Sequence, residues 1–260
     1  MHGVIASIDP SLRVNDVSHL IPPFRPWSAS YCLKYTSPCW PRGTIFVSVV
    51  DPGVGTARRA SVAKTALGQY VVTPDNGTLT HIKYFQGIEE IREIDENKNR
   101  RPGTEKFNTF HGRDIFAYTA GRLAAGIISY EDVGPLYPVE EIISFPITPS
   151  HIEKGRAEGI VENTDSHFGS ILFNITIDDF EKAGFKMGDT IAVEICSGAE
   201  VRFSGTVLYQ PSFGYVGLGE PVIFNGSTGY ISMGVNRGSF SEKYHIQSGN
   251  EWTVRFNGVV

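Results

Sequence analysis

Residues 49–59 read VVDPGVGTARR: an apolar run ends in Asp51, a turn with two glycines follows, and Arg58 and Arg59 close it. Loops that follow buried strands carry much of the chemistry of α/β proteins. A carboxylate held there beside a guanidinium can orient a water or a polar substrate. The same two groups, Asp51 and Arg58, can also serve only as an ion pair bracing the turn, and this stretch alone leaves both readings open. Gly53 and Gly55 let the backbone approach a ligand closely. The spacing matches neither a P-loop nor GxGxxG, so it does not indicate phosphate binding.

A second candidate, NTFHGRD (108–114), sets His111 and Gly112 just ahead of a helix. Asp114 falls in its first turn, where negative charge suits the macrodipole. A histidine at that place can also do no more than bond backbone. PDNG (74–77) is a turn after a strand, and in an α/β sheet it would line the same crevice as the first two loops. Later, ENTDSHFGS (162–170) presents Asp165 and Phe168, QPSFGY puts Phe213 in a glycine-rich loop, and NGSTGY (225–230) is a tight turn. Each of these alone is ordinary turn chemistry or packing. Asp51, His19 and His111 show no HxxxH or HxH spacing, so no metal is expected.

These loops need elements to position them. MHGVIASIDP begins as a helix, VNDVSHL predicts a short strand near 13–18, RPWSASYCLKYTSPCW a helix, and WPRGTIFVSVVD a buried strand ending at Asp51. RASVAKTA and QYVVTPD predict two further strands, LTHIKYFQG a helix, and DENKNRRPGTEK (95–106) an exposed loop. Phe116, Ala120, Leu123 and Ala124 share one face of a helix that Gly126 can stop. This alternation predicts an α/β domain with a mainly parallel sheet and flanking helices over 1–150. After the proline-bearing stretch 135–155 the pattern becomes strand and turn: AEGIVENTD, SILFNITI, DTIAVEIC, EVRFSGTVLY, EPVIFN, GYISMGVN and EWTVRFN. That predicts a small antiparallel β-barrel over 151–260.

The chain has 260 residues, 41% of them hydrophobic, which suits a real core, and a net charge of −5. Its positive charges are dispersed, so neither a nucleic acid nor a membrane surface is expected as a partner. Cys32, Cys39 and Cys196 form no CxxC and read as free thiols in a reducing compartment. There is no signal-like start and no apolar run of membrane-span length, so the expected location is cytoplasmic. On that reading the sequons at Asn76, Asn174 and Asn225 are chance matches.

Taken together, GVIASIDP, DVSHLIPPF, GTIFVSVVDPGVGTARR, VVTPDNGTLT, TFHGRDIFAYTAGRLAAG, DVGPL, the later D–x–x–FG and the STGY turn resemble one family in order and spacing. That family is the S-adenosyl-L-methionine (SAM) hydroxide adenosyltransferases, or SAM hydrolases, relatives of the bacterial fluorinase and chlorinase. The resemblance implies an N-terminal α/β domain, a C-terminal β-barrel, and a homotrimer with active sites between subunits. It implies SAM as substrate, adenosine and L-methionine as products, and no metal or organic cofactor. The family's Asp–Arg–His set falls on Asp51, Arg58 and His111. Halogenating relatives carry tyrosine in place of the aspartate, and the fluorinase has serine where Gly112 stands, so this chain resembles the water-using branch.

Other roles carry over one position at a time. Phe24 matches an aromatic beside the ribose, Phe213 an aromatic against adenine, and Asp165 the carboxylate that holds the methionine ammonium. Ser227 matches a serine near the methionine carboxylate, and backbone at Val235, Asn236 and Arg237 matches the adenine-edge contacts. Val54, Gly112 and Thr228 are also placed among the substrate contacts. Ser170 stands where the family's D–x–x–FGN has an adenine-contacting asparagine. Relatives begin with a strand ending in a D-F/L-G turn whose aspartate grips the ribose hydroxyls. This sequence starts after it, at MHGVI, so the expectation is either a truncated chain or a site that lacks that clamp, with a sheet edge or core surface exposed where the strand would lie. The missing clamp keeps open a non-catalytic adenosine- or SAM-binding module, and a halide-using transferase is the further alternative.

In chemical terms, the sulfonium leaves as a neutral thioether and needs no general acid. The reaction needs a water aligned behind C5′ of the ribose. A carboxylate already paired with Arg58 is a weak base, so Asp51 is expected mainly to orient and polarise that water.

Overall fold

The computed structural model describes residues 1–258 as two compact units, Met1–Phe145 and the remainder from Pro146. In the first unit, α1 (His2–Ile8) and α2 (Pro26–Thr36) precede β1 (Ile45–Val47), β2 (Ala60–Thr65), β3 (Tyr70–Pro74), α3 (Thr80–Phe85), β4 (Ile88–Glu93), α4 (Glu96–Asn99) and α5 (Ala117–Ala124). The sheet order is β1-β3-β2-β4.

The sheet is mixed, which corrects the expected mainly parallel arrangement. β1 runs parallel to β3, whereas β2 is antiparallel to both β3 and β4. The reason is the connection. Only residues 66–69 join β2 to β3, with Gly68 at φ +70° and Thr65 N donating to Gln69 O at 2.9 Å. A turn that short makes a hairpin, because a parallel crossover needs a dozen residues or more. The strand expected near 13–18 does not form. The segment is exposed and has no partner ladder, and Asp16 accepts from His2 at 2.7 Å and pairs with His19 at 3.2 Å.

Both faces of this sheet are buried. Val62 and Val72 pack with Ile115, Phe116 and Ala120 on one side, while Ala63 and Val71 pack with Leu33, Leu79 and Ile82 on the other. This period-two alternation lets the inner strands β2 and β3 bury apolar side chains on both faces. Each large side chain so buried contributes about 1.5–3 kcal/mol. α1 closes over α5 through Val4, Ile5 and Ala117.

The second unit contains β5 (His151–Glu153), β6 (Arg156–Thr164), β7 (Ile171–Thr176), α6 (Ile177–Lys182), β8 (Thr190–Ser197), β9 (Glu200–Tyr209), β10 (Pro221–Asn225), β11 (Tyr230–Val235), α7 (Phe240–Lys243) and β12 (Gly249–Gly258). The order is β12-β8-β9-β10-β11-β7-β6-β5, and β12 also pairs with β6, which closes a seven-stranded barrel. Its interior is filled by Phe173, Phe180, Tyr209, Met233 and Phe256. The barrel is not wholly antiparallel, since β9 and β10 run parallel. No hairpin can join parallel neighbours. Residues 210–220 therefore loop out and return, and that excursion carries Phe213. Among the described residues no helix is long and apolar enough to cross a membrane, and no group of three or more His, Cys, Asp or Glu is placed to hold a metal.

Candidate active site

The chain leaves β1 still in ladder contact, with Ser48 N donating to Val72 O at 3.0 Å, and then reaches Asp51. A turn follows in which Val54 N donates to Asp51 O at 3.3 Å and Thr56 Oγ1 to Gly53 O at 2.7 Å. Gly55 sits at φ +77°, and a Cβ there would lie 2.6 Å from Asn108 O. Only glycine lets this turn rest on the 108–114 segment. Arg58 then comes back beside Asp51 just before β2 begins. Its Nε donates to Asp51 Oδ1 at 2.9 Å and to Oδ2 at 3.1 Å, and its Nη2 also donates to Oδ2. This is the fork geometry that makes Arg–carboxylate contacts strong. Both side chains are buried, at 8% and 5% exposure, and the guanidinium lies 5.2 Å from the centre of the Phe116 ring.

The same guanidinium reaches the third residue. Arg58 Nη2 is 2.9 Å from His111 Nδ1. His111 is buried at the start of a single π turn, Gly112–Phe116, which runs into α5. A Cβ on Gly112 would lie 3.1 Å from Val49 Cγ1, so the small residue lets the turn pack against the β1 exit. Burial holds His111 below the usual imidazole range, and the Arg58 and Arg100 cations push the same way, partly offset by Glu96 and Asp51.

Arg100 is a residue the sequence reading missed. Its Nη2 lies 3.4 Å from His111 Nε2, while Nη2 also donates to Glu96 and Nη1 to Phe107 O at 3.2 Å. The stretch 95–106 was expected as a plain exposed loop, but it contains α4, whose start is capped by Asp95 Oδ1 accepting from Asn97 N at 3.1 Å. The signal was present in DENKNR: an N-cap aspartate, then Glu and Arg at i and i+4. The PDNG loop joins the same place, because Asn76 Nδ2 donates to Val50 O at 2.9 Å, next to Asp51. Behind it, Asp75 is buried and accepts from Ile143 N at 2.9 Å and from Tyr137 Oη at 3.2 Å. Phe24 is 78% exposed and holds φ +64°, a left-handed backbone that aromatic residues rarely adopt.

In the barrel unit, Asp165 Oδ1 accepts from His167 N at 2.8 Å and Phe168 N at 3.2 Å, which shapes its loop. Asp165 N donates to Ser170 O at 2.8 Å. Ser170 and Phe213 meet over Gly234 of β11: a Cβ there would lie 2.6 Å from Phe213 Cε1 and 3.0 Å from Ser170 Oγ. The Phe213 ring also packs on Phe224, centroids 4.8 Å apart. Val235–Arg237 form the adjoining turn, with Asn236 Nδ2 donating to Val216 O at 2.8 Å and Arg237 at φ +55°. Ser227 and Thr228 are not brought to that turn. The register pairs Asn225 with Ile231 and Pro221 with Val235, so 226–229 and 235–237 cap opposite ends of the β10–β11 hairpin. Thr228 Oγ1 is buried without a hydrogen-bond partner among the described residues.

The SAM hydroxide adenosyltransferase N-terminal domain model matches residues 1–134 and the C-terminal domain model matches 159–253. The (R)-S-adenosyl-L-methionine hydrolase of Salinispora tropica is 32% identical over 254 residues, 97% of this chain and 90% of that protein. The hydrolase of the same name from Thermus thermophilus is 33% identical over 257 residues, 95% of this chain and 89% of that one. A crystal structure of a conserved protein from Thermotoga maritima superposes with a TM-score of 0.84 at 33% identity, covering 98% of this chain and 93% of that one. With both domain models matched and these relatives aligned over nearly all of its length, the chain belongs to the SAM hydroxide adenosyltransferase family.

Proposed function

We propose that this chain hydrolyses SAM to adenosine and L-methionine by in-line attack of water on ribose C5′. The observation that carries the reading is the buried chain Asp51–Arg58–His111, joined by contacts of 2.9 Å on either side of one guanidinium. Arg58 fixes the rotation of the carboxylate with a two-point grip, and His111 fixes Arg58 from behind. Asp51 then accepts a hydrogen bond from the attacking water and takes its proton late, as C5′–O bond formation acidifies it. Arg58 Nη1 is buried without a hydrogen-bond partner among the described residues, a donor that a water or substrate oxygen would satisfy. Methionine leaves as a neutral thioether, so alignment matters more than acid catalysis. Good alignment alone can supply about 7–11 kcal/mol.

In this reading Phe213 and Ser170 receive adenine beside the backbone of Val235, Asn236 and Arg237, and Phe24 covers the ribose. Asp165 holds the methionine ammonium, Ser227 and Thr228 lie toward its carboxylate, and Val54 and Gly112 shape the wall near C5′. The working form is a homotrimer with sites shared between subunits, acting in the cytoplasm; the free cysteines suit that reducing compartment. The test is incubation with SAM in chloride-free buffer, with products separated and weighed by mass spectrometry. Equal adenosine and methionine, abolished in Asp51→Asn, is the expected result. Adenosine or SAM binding without turnover would replace the enzyme with a binding module.

A further inference from the structure

Arg100 flanks the Asp51–Arg58–His111 chain, and the mechanism above does not use it. A guanidinium only donates hydrogen bonds, and a neutral imidazole has a single acceptor nitrogen. His111 therefore faces two donors with one lone pair. The 2.9 Å contact with Arg58 takes that lone pair at Nδ1, which puts the ring proton on Nε2. Arg100 Nη2, 3.4 Å from Nε2, then meets an N–H and cannot bond to it. Its partners keep it there: Glu96 accepts from Nη2, and the carbonyls of Phe107 and Thr104 accept from Nη1 at 3.2 and 3.4 Å. A protonated ring would offer no acceptor at all and would add a cation between two guanidiniums. The charged groups acting on this ring are Arg58 ahead of β2, Asp51 after β1, and Glu96 and Arg100 on α4 and its end.

We propose that Arg100, anchored by Glu96, is a positioning residue that keeps His111 neutral, so that Nδ1 retains Arg58 and Arg58 keeps the Asp51 carboxylate aimed. The proposal rests on the hydrolytic reading of those three residues. Its physical core, the charge state of His111, can be read without substrate. Burial and the two cations act on the ring in the same direction.

The test follows the His111 ring nitrogens by NMR across pH in the intact protein, with His111→Gln to assign the signal. Wild type is expected to titrate below about 6.5. Arg100→Gln removes a cation and frees Glu96, so the midpoint should rise. Arg100→Lys keeps the charge and should restore it. Glu96→Gln removes the opposing anion and should lower the midpoint. Opposite shifts in Arg100→Gln and Glu96→Gln separate an electrostatic role from simple loss of packing. In the SAM assay, the acid limb of kcat should move upward with the ring in Arg100→Gln. An unmoved ring in Arg100→Gln overturns the proposal, as does a wild-type midpoint at or above the ordinary value. If Arg100→Gln does not fold, Arg100→Lys and Glu96→Gln decide it. Expected ring shifts without SAM turnover in wild type would overturn the hydrolytic reading while leaving this electrostatic role standing.

Discussion

The two units prepare their candidate sites in different ways. In the first, geometry is set by buried charged side chains: Asp51, Arg58 and His111 lock one another, and Arg100 stands behind. In the barrel, the corresponding residues are arranged by backbone turns and by the absence of a side chain at Gly234, which leaves room for Phe213 and Ser170. A charged knot tolerates little chemical change, because removing one partner strands another in a buried place. A surface shaped by backbone tolerates change in charge better than change in volume. The first kind suits aiming a nucleophile and the second suits holding a flat ring.

Substitutions can break or sharpen this contrast. The largest effect is expected for Asp51→Asn, a loss of about 100-fold or more in kcat with the fold kept, read by product analysis and circular dichroism. Near-normal turnover would remove Asp51 from the mechanism. Next is Asp165→Asn, which can keep the oxygen that accepts from His167 and Phe168 but loses the charge. KM for SAM should rise about 30-fold with kcat little changed, the cost of leaving an ammonium unpaired. An unchanged KM would end its assignment. Gly234→Ala places a Cβ against the Phe213 ring and should raise KM about tenfold through lost stacking, without moving the pH profile. Should it lower kcat instead, the barrel surface does more than hold the base.

The smallest effect concerns stability. His111 binds its proton less readily in the folded chain than when unfolded, so the fold loses stability as pH drops below about 6.5. In His111→Gln that part of the loss should vanish, and the melting temperature should fall less between pH of about 7.5 and about 5.5. Equal slopes in both proteins would contradict the burial argument.

Much of the architecture could be read from residue pattern. The barrel strands stand out because apolar residues alternate between glycine-rich turns, as in SILFNITI and DTIAVEIC. β4 did not, because IEEIRE is mostly charged and only Ile91 in it is buried. The sheet's mixed direction was hidden for a similar reason: the turn at 66–69 lacks the Asn-Gly signature of a hairpin. In the site, Asp51, Arg58 and His111 announced themselves as polar residues at the ends of apolar elements. Arg100 lay in a uniformly polar stretch, where an arginine that turns inward is indistinguishable by type from those that stay in water.

The π turn at Gly112–Phe116 has a consequence for how this region can vary. A π turn holds more residues than an α turn, so it offsets the phase of everything after it relative to His111. Each residue of a helix advances the side-chain direction by about 100°. Deleting one residue there would restore an ordinary helix, but either the imidazole or the Phe116–Ala120 core face would then point about 100° away. The segment thus behaves as a gear with a fixed tooth count: its length is set by the two directions it must serve at once, whichever side chains it carries.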